Sequence, residues 1–141
     1  DPRYQKIRKD WGEQNSDFKI FLMFLFQGLL IVILSIPFII VNRNDSPEWH
    51  YLEFWGVVVW FVGLAGETIA DNQLEAFKKD PANAGKVCQS GLWYFSRHPN
   101  YFFEFVVWVG YFLFALGSPW GILAIFSPAI VLLLLVNVSG I

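Results

Sequence analysis

The chain has 141 residues, 55% of them hydrophobic, 19% aromatic and only 16% charged, where a soluble domain carries about 25% charged residues. That balance points to a membrane protein before any segment is inspected. A formal net charge of -2 gives no reason to expect a nucleic-acid partner, and one cysteine, Cys88, excludes an internal disulfide and any multi-cysteine metal site.

The opening "DPRYQKIRKDWGEQ" has nothing of a signal peptide. The closing "LLLLVNVSGI" stops straight after an apolar run. Both ends read as cuts, so an internal piece of a longer chain is expected. The remaining N- and C-terminal parts, or another subunit, would then be its partners. Residues 1–19 read as a polar N-terminal segment carrying Arg3, Lys6, Arg8, Lys9 and Lys19.

Four apolar runs follow, at 20–41, 52–70, 99–117 and 120–138. A membrane helix needs roughly 20 apolar residues, within about 17 to 25. None of the runs alternates strictly, and an open strand edge cannot cross lipid. The reading is an all-α polytopic bundle of about four transmembrane helices. In the first run, Gln27 and Pro37 mark a helix contact and a kink. The connection 42–51 carries only Arg43 as a fixed cation, and His50 is read there as solvated. After the second run, "DNQLEAFKKD" can prolong the helix by a few turns, and "DPANAG" then stops it at Pro81 and Gly85. "KVCQSGLWYF" contains a turn at Ser90-Gly91 and an aromatic patch suited to a membrane surface. The third and fourth runs are separated so briefly that a tight antiparallel hairpin is expected.

Basic residues set the expected orientation. The N-terminal segment and the loop 71–98, with Lys78, Lys79, Lys86 and Arg97, are assigned to the cytoplasm. Trp49, Tyr51, Trp55, Trp93, Tyr94 and Trp120 fall near the expected interfaces, as an aromatic belt does.

The chemistry concentrates in "SGLWYFSRHPNYFFE", residues 90–104. Pro99 suits the first turn of a helix, where its missing N–H costs nothing. The backbone N–H groups of that turn and the helix dipole favour an anion. Arg97 and His98 stand at the same mouth, and Asn100 adds an amide. Glu104 lies one turn inside, on the face of Tyr101, Trp108 and Tyr111. An acid there is costly in lipid and faces a partner or a wet cavity. Glu67 and Asp71, four residues apart, share a face near the same end of the second helix. These groups are expected to converge at one membrane depth as a polar site. Cys88 reads as an ordinary thiol. No Gly-rich phosphate loop is present, and two histidines far apart make no zinc site.

The stretch "GETIADNQLEAFKKDPANAGKVCQSGLWYFSRHPNYFFEFVVWVGYFLFAL" closely resembles the steroid 5-alpha-reductase-like family of membrane proteins, in its bacterial and plant branch. The opening and closing segments are similar too, so the resemblance covers essentially the whole chain. The "RHPNY" box alone is also similar to that of isoprenylcysteine carboxyl methyltransferases, which bind S-adenosylmethionine in an equivalent place. The element Glu67 to Gln73 tips the choice to the reductase side.

The resemblance implies NADPH-dependent reduction of a carbon–carbon double bond conjugated to a carbonyl, in a steroid-like or other lipid enone. NADPH would enter from the cytoplasm, and the lipid substrate laterally from the bilayer. Carried over by position, Asp71 and Asn100 match polar positions at the cofactor. Arg97, His98 and Tyr101 belong to the box at its phosphate or nicotinamide end. Glu104 matches the acid that orients that box, and Glu67 is counted with the cofactor-binding residues. The groups that polarise the substrate lie in family segments absent from this sequence, so a cofactor half-site without an assigned catalytic residue is expected. The alternatives are an S-adenosylmethionine-dependent membrane methyltransferase and a non-catalytic membrane subunit. The implied location is a bacterial inner membrane or the endoplasmic reticulum, with the site facing the cytoplasm.

Overall fold

The computed structural model describes residues 2–46 and 48–137, and every regular element among them is helical. The chain divides into two units, Asp1–Leu34 and Ser35–Ile141.

In the first unit, α1 (Pro2–Trp11) ends at Gly12, and α2 (Glu13–Leu34) follows. Gly12 has a φ of +79°, a left-handed backbone that a residue without Cβ adopts cheaply. Its carbonyl accepts the Ser16 N–H at 3.0 Å. The helix thus starts ahead of the apolar run at residue 20. Hydropathy marks only the part of a helix that suits lipid, and the polar turn "EQNSDFK" is equally able to be helical.

The second unit opens with α3 (Ile36–Asn42). The helix breaks at Ser35 because Pro37 lacks an N–H and its ring clashes with the preceding turn. Pro37 instead occupies the first turn of α3 and is fully buried. Within the 27 residues Ser16–Asn42, an 18-residue window reaches a mean hydropathy of 2.7, ample for a membrane span.

The 29-residue α4 (Tyr51–Lys79) is about 43 Å long. Its N-terminus is capped by His50, whose Nδ1 accepts the Leu52 N–H at 3.1 Å. Half-buried His50 also stacks on Tyr51, so it is a cap rather than a solvated loop residue. Lys78 and Lys79 sit in the last turn, where cations suit the dipole. Asp80 ends the helix and accepts from Ala82 N–H at 3.0 Å, starting a short 3-10 turn at Pro81–Asn83.

The chain then reaches α5 (Pro99–Leu116), 18 residues with proline in the first turn. The fourth apolar run departs from expectation. It begins with Trp120 at a φ of 64° and a 3-10 helix at Gly121–Ile125, and only then forms α6 (Phe126–Asn137), 12 residues long. Pro128 gives a reason: its N–H is missing, so it belongs in the first turn of a helix rather than in its middle. The described part of α6 spans about 18 Å, against a hydrocarbon core of about 30 Å. The first three expected spans fall in helices long and apolar enough to cross a membrane.

The most extensive packing is between α4 and α5, and its cause is legible atom by atom. Gly56, Gly63 and Ala70 recur at heptad spacing and are buried, as is Gly66 between them. A Cβ on Gly56 would lie 2.5 Å from Phe114 N, one on Gly63 2.7 Å from Val107 N, and one on Gly110 2.7 Å from Trp60 N. The two backbones therefore touch along their length. Lipid supplies no hydrophobic drive between helices, so close van der Waals contact through small residues holds them. The segments after α5 pack back on it and on α3, yet α4 rather than the next helix in sequence is the main partner of α5. On another face, Phe38 of α3 meets Tyr111 and Trp108 edge-on, at 4.9 and 6.3 Å.

Replacing Gly63 by Val should lower the thermal midpoint of the detergent-solubilised protein, by overpacking worth about 1–3 kcal/mol. Gly28→Ala is the control, because nothing lies within 4 Å of a Cβ there. Equal midpoints for the two variants would mean that the glycine seam does not hold the pair.

Candidate functional site

At the end of the pair where α5 begins, the turns of α4 after Ala70 carry a docked loop. The Trp93 indole Nε1–H donates to Ala70 O at 2.8 Å. The Leu92 N–H donates to Gln73 Oε1 at 2.9 Å. Gly91 makes that approach possible: its φ is +61°, and a Cβ would lie 2.5 Å from Gln73 Nε2. Sequence reasoning noted Gln73 as a polar residue but not as a ledge. The available signal was its spacing from buried Ala70, which puts both at the same end of one helix.

This docking brings the start of α5 beside α4. Asn100 Nδ2 donates to Asp71 Oδ1 at 3.2 Å, and Asn100 Oδ1 accepts the Tyr101 N–H at 3.0 Å. One amide therefore ties the α4 carboxylate to the first turn of α5 and occupies one of the amides that the sequence left open for an anion. His98 lies flat on Tyr101, with ring centroids 5.1 Å apart and planes 12° from parallel. Ser96 Oγ accepts the His98 N–H at 3.2 Å.

The expected acids also meet. Half-buried Glu67 stands one turn before Asp71 and feels the charges of both Glu104 and Asp71. Glu67, Asp71, Asn100 and Glu104 thus gather at one end of the α4–α5 pair. Arg97 does not join them. It is exposed and, with His98, Ser96 and Trp93, lines a cavity of about 750 Å3 against Leu74 of α4. Cys88 lines the same cavity, is buried, and has its Sγ 3.7 Å from Ser90 Oγ. Among the described residues, no group of three or more His, Cys, Asp or Glu could hold a metal ion.

A guanidinium and an imidazole line this cavity, a pairing suited to phosphate or carboxylate. Glu67, Asp71 and Glu104 do not line it. The cavity volume falls within the roughly 300–1,000 Å3 usual for cofactor and ligand sites.

Comparison with known proteins adds two findings. A family model described as "Protein of unknown function (DUF1295)" matches residues 1–141. A "Probable O-methyltransferase ustE" of Ustilaginoidea virens is 40% identical over 53 residues, which cover 38% of this chain and 18% of that protein. The match therefore spans less than a fifth of the relative's length. No solved structure matches the chain.

Replacing Trp93 by Phe removes the bond to Ala70 O and keeps the ring. Amides 90–98 should then exchange hydrogen several-fold faster, as expected for a lost bond worth about 0.5–1.5 kcal/mol. Gln73→Leu should act on the same amides. Unchanged exchange in both variants would show that the loop is held by other means.

Proposed function

The chain belongs to the DUF1295 family, a steroid 5-alpha-reductase-like group, and from that premise we propose that it forms the cofactor half of a membrane-embedded, NADPH-dependent reductase. The substrate class is a steroid-like or other lipid enone, reduced at the carbon–carbon double bond conjugated to its carbonyl. Two observations support this reading: the Asp71–Asn100 bond at the start of α5, and a cavity walled by Arg97 and His98, the residues just ahead of that helix. NADPH pairs anionic phosphates with ribose and amide donors, and those are the two chemistries the residues offer.

When bound, the cofactor supplies a hydride to one carbon of the double bond. The residues of this chain bind and orient. Arg97 pairs with a phosphate through its planar guanidinium fork. His98, held flat on Tyr101, adds a donor at the same wall. Asp71, kept in place by Asn100, accepts from ribose or carboxamide, and Glu67 and Glu104 keep that side rich in acceptors. No residue is assigned as proton donor to the substrate. The density of basic residues in the N-terminal segment and the loop before α5 supports a cytoplasmic site, in a bacterial inner membrane or the endoplasmic reticulum.

A second reading is favoured by the methyltransferase relative. S-adenosylmethionine also carries ribose hydroxyls and a carboxylate, so the same mouth would serve a membrane methyltransferase. The two differ in the number of anionic groups placed at Arg97.

Titration of the intact protein in detergent separates the readings. Arg97→Ala should weaken NADPH by about 1–3 kcal/mol, the range of a charge-assisted hydrogen bond, and leave membrane insertion unchanged. Asp71→Asn should weaken NADPH as well, by loss of an acceptor. If both variants keep NADPH affinity and lose S-adenosylmethionine, the methyltransferase reading replaces the reductase. Binding of neither cofactor at millimolar concentration would overturn both and leave a non-catalytic subunit.

A further inference from the structure

A cavity of about 250 Å3 lies between α3, α4 and α5, walled by Phe38, Trp60, Tyr111 and Phe114. Its rings are joined: Phe38 meets Tyr111 edge-on at 4.9 Å, and Tyr111 faces Trp60 at 6.5 Å between centroids. Gly56 and Gly110, which bring the two long helices together, also line it. Trp60 stands about 16 Å along α4 from Asp71, so this cavity is separate from the one that Arg97 and His98 line.

One atom of this wall does not suit an apolar setting. The Trp60 Nε1–H is buried and has no hydrogen-bond partner. Among the described residues it is the only buried side-chain nitrogen or oxygen in that position. An unpaired buried donor is costly and calls for an acceptor. The Tyr111 hydroxyl and the Asn42 amide line the same cavity. Neither side chain bonds the indole, and among the described residues neither makes another hydrogen bond.

The surroundings select the occupant. No charged residue lines the cavity, so the group it takes is neutral. Indole, phenol and amide all donate, so that group carries an acceptor oxygen. A water molecule would meet the donors but leave the aromatic and aliphatic walls without apolar contact. The volume lies just under the roughly 300–1,000 Å3 of sites that enclose a whole drug-sized ligand, so one end of a larger molecule fits and the rest lies in the bilayer. Asn42 is the last residue of α3, and Tyr111 lies near the end of α5 at Leu116. The cavity is therefore just inside one membrane boundary, at the depth of the oxygen-bearing end of a lipid.

We propose that this cavity binds the carbonyl-bearing part of a lipid, with the Trp60 Nε1–H and the Tyr111 hydroxyl as donors, Asn42 beside them, and Phe38 and Phe114 as apolar walls. The Trp60 ring is half-buried, and a small turn of it carries the N–H to the oxygen. The carbonyl can come from a ring ketone or from the acyl ester of a phospholipid. The site is independent of the cofactor reading.

The test is equilibrium binding of tritiated 5α-cholestan-3-one to the intact protein in maltoside micelles, against 5α-cholestane, which has the same rings and no oxygen. The ketone should bind saturably and at least fivefold tighter than the hydrocarbon. Trp60→Phe and Tyr111→Phe each keep a ring and remove a donor. Each should weaken the ketone at least threefold and leave the hydrocarbon unchanged. Tyr111→Phe keeps the experiment readable if Trp60→Phe fails to fold. Native mass spectrometry from nanodiscs of diester and diether phosphatidylglycerol identifies the source, because the diether lipid has no carbonyl. Diester lipid retained over diether by the wild type, with the preference lost in the variants, indicates an acyl ester. Saturable ketone binding without that preference indicates a ring ketone. Equal affinity for ketone and hydrocarbon with no diester preference, or wild-type behaviour of the folded variants in both arms, overturns the proposal.

Discussion

The seam of glycines between α4 and α5 is the constraint on which the second unit depends. Gly56 and Gly63 on one helix and Gly110 on the other have backbone in the space a side chain would fill. That contact fixes both the distance and the relative sliding of the two helices, because a shift along the axis would drive Phe103, Val107 or Phe114 into a backbone. In water a similar pair could be held by burying leucines. In lipid the unassociated helices are already solvated by apolar chains, so only tighter packing than lipid can provide favours the pair.

Each polar feature of the unit then follows from registration. With the seam in place, Asn100 at the start of α5 falls opposite Asp71, and Glu104 falls within electrostatic reach of Glu67. Helix lengths do the rest. At about 43 Å, α4 outreaches the roughly 27 Å of α5, and its extra turns become the ledge on which Leu92 and Trp93 rest. The loop is therefore not a free tether between two spans. It is clamped at Ala70 and Gln73, and Arg97 and His98 of the same loop line a cavity against Leu74.

Acids inside a membrane bundle are costly wherever they sit, and this unit carries them at both ends. At one end, Asp71 takes an amide hydrogen from Asn100, and half-buried Glu67 and Glu104 lie on the same two helices. At the other, Glu53 is enclosed by Gly117 and by the connection ahead of α4. Neither arrangement helps the helices to pack.

The sequence by itself determined the all-helical, membrane-suited fold, since a helix is the only open segment that satisfies its own backbone in lipid. It also determined the punctuation: the break ahead of Pro37, the stop at Asp80 and Pro81, and the start of α5 at Pro99. These are one-body properties, set by composition and by which residues lack an N–H or tolerate a positive φ. The convergence of Glu67, Asp71, Asn100 and Glu104 was legible for the same reason, because depth along a membrane helix can be counted. Pairing was not. The short link at Ser118 and Pro119 suggested the third and fourth runs as partners, while tertiary packing made α4 the main partner of α5. A contact depends on two surfaces at once, and the glycines of α4 have meaning only against the backbone of α5. The same limit hid the burial of Glu53, the clamp at Ala70 and Gln73, and the separation of Arg97 from the acids. Each is decided by what lies across from a residue, which no count along one helix contains.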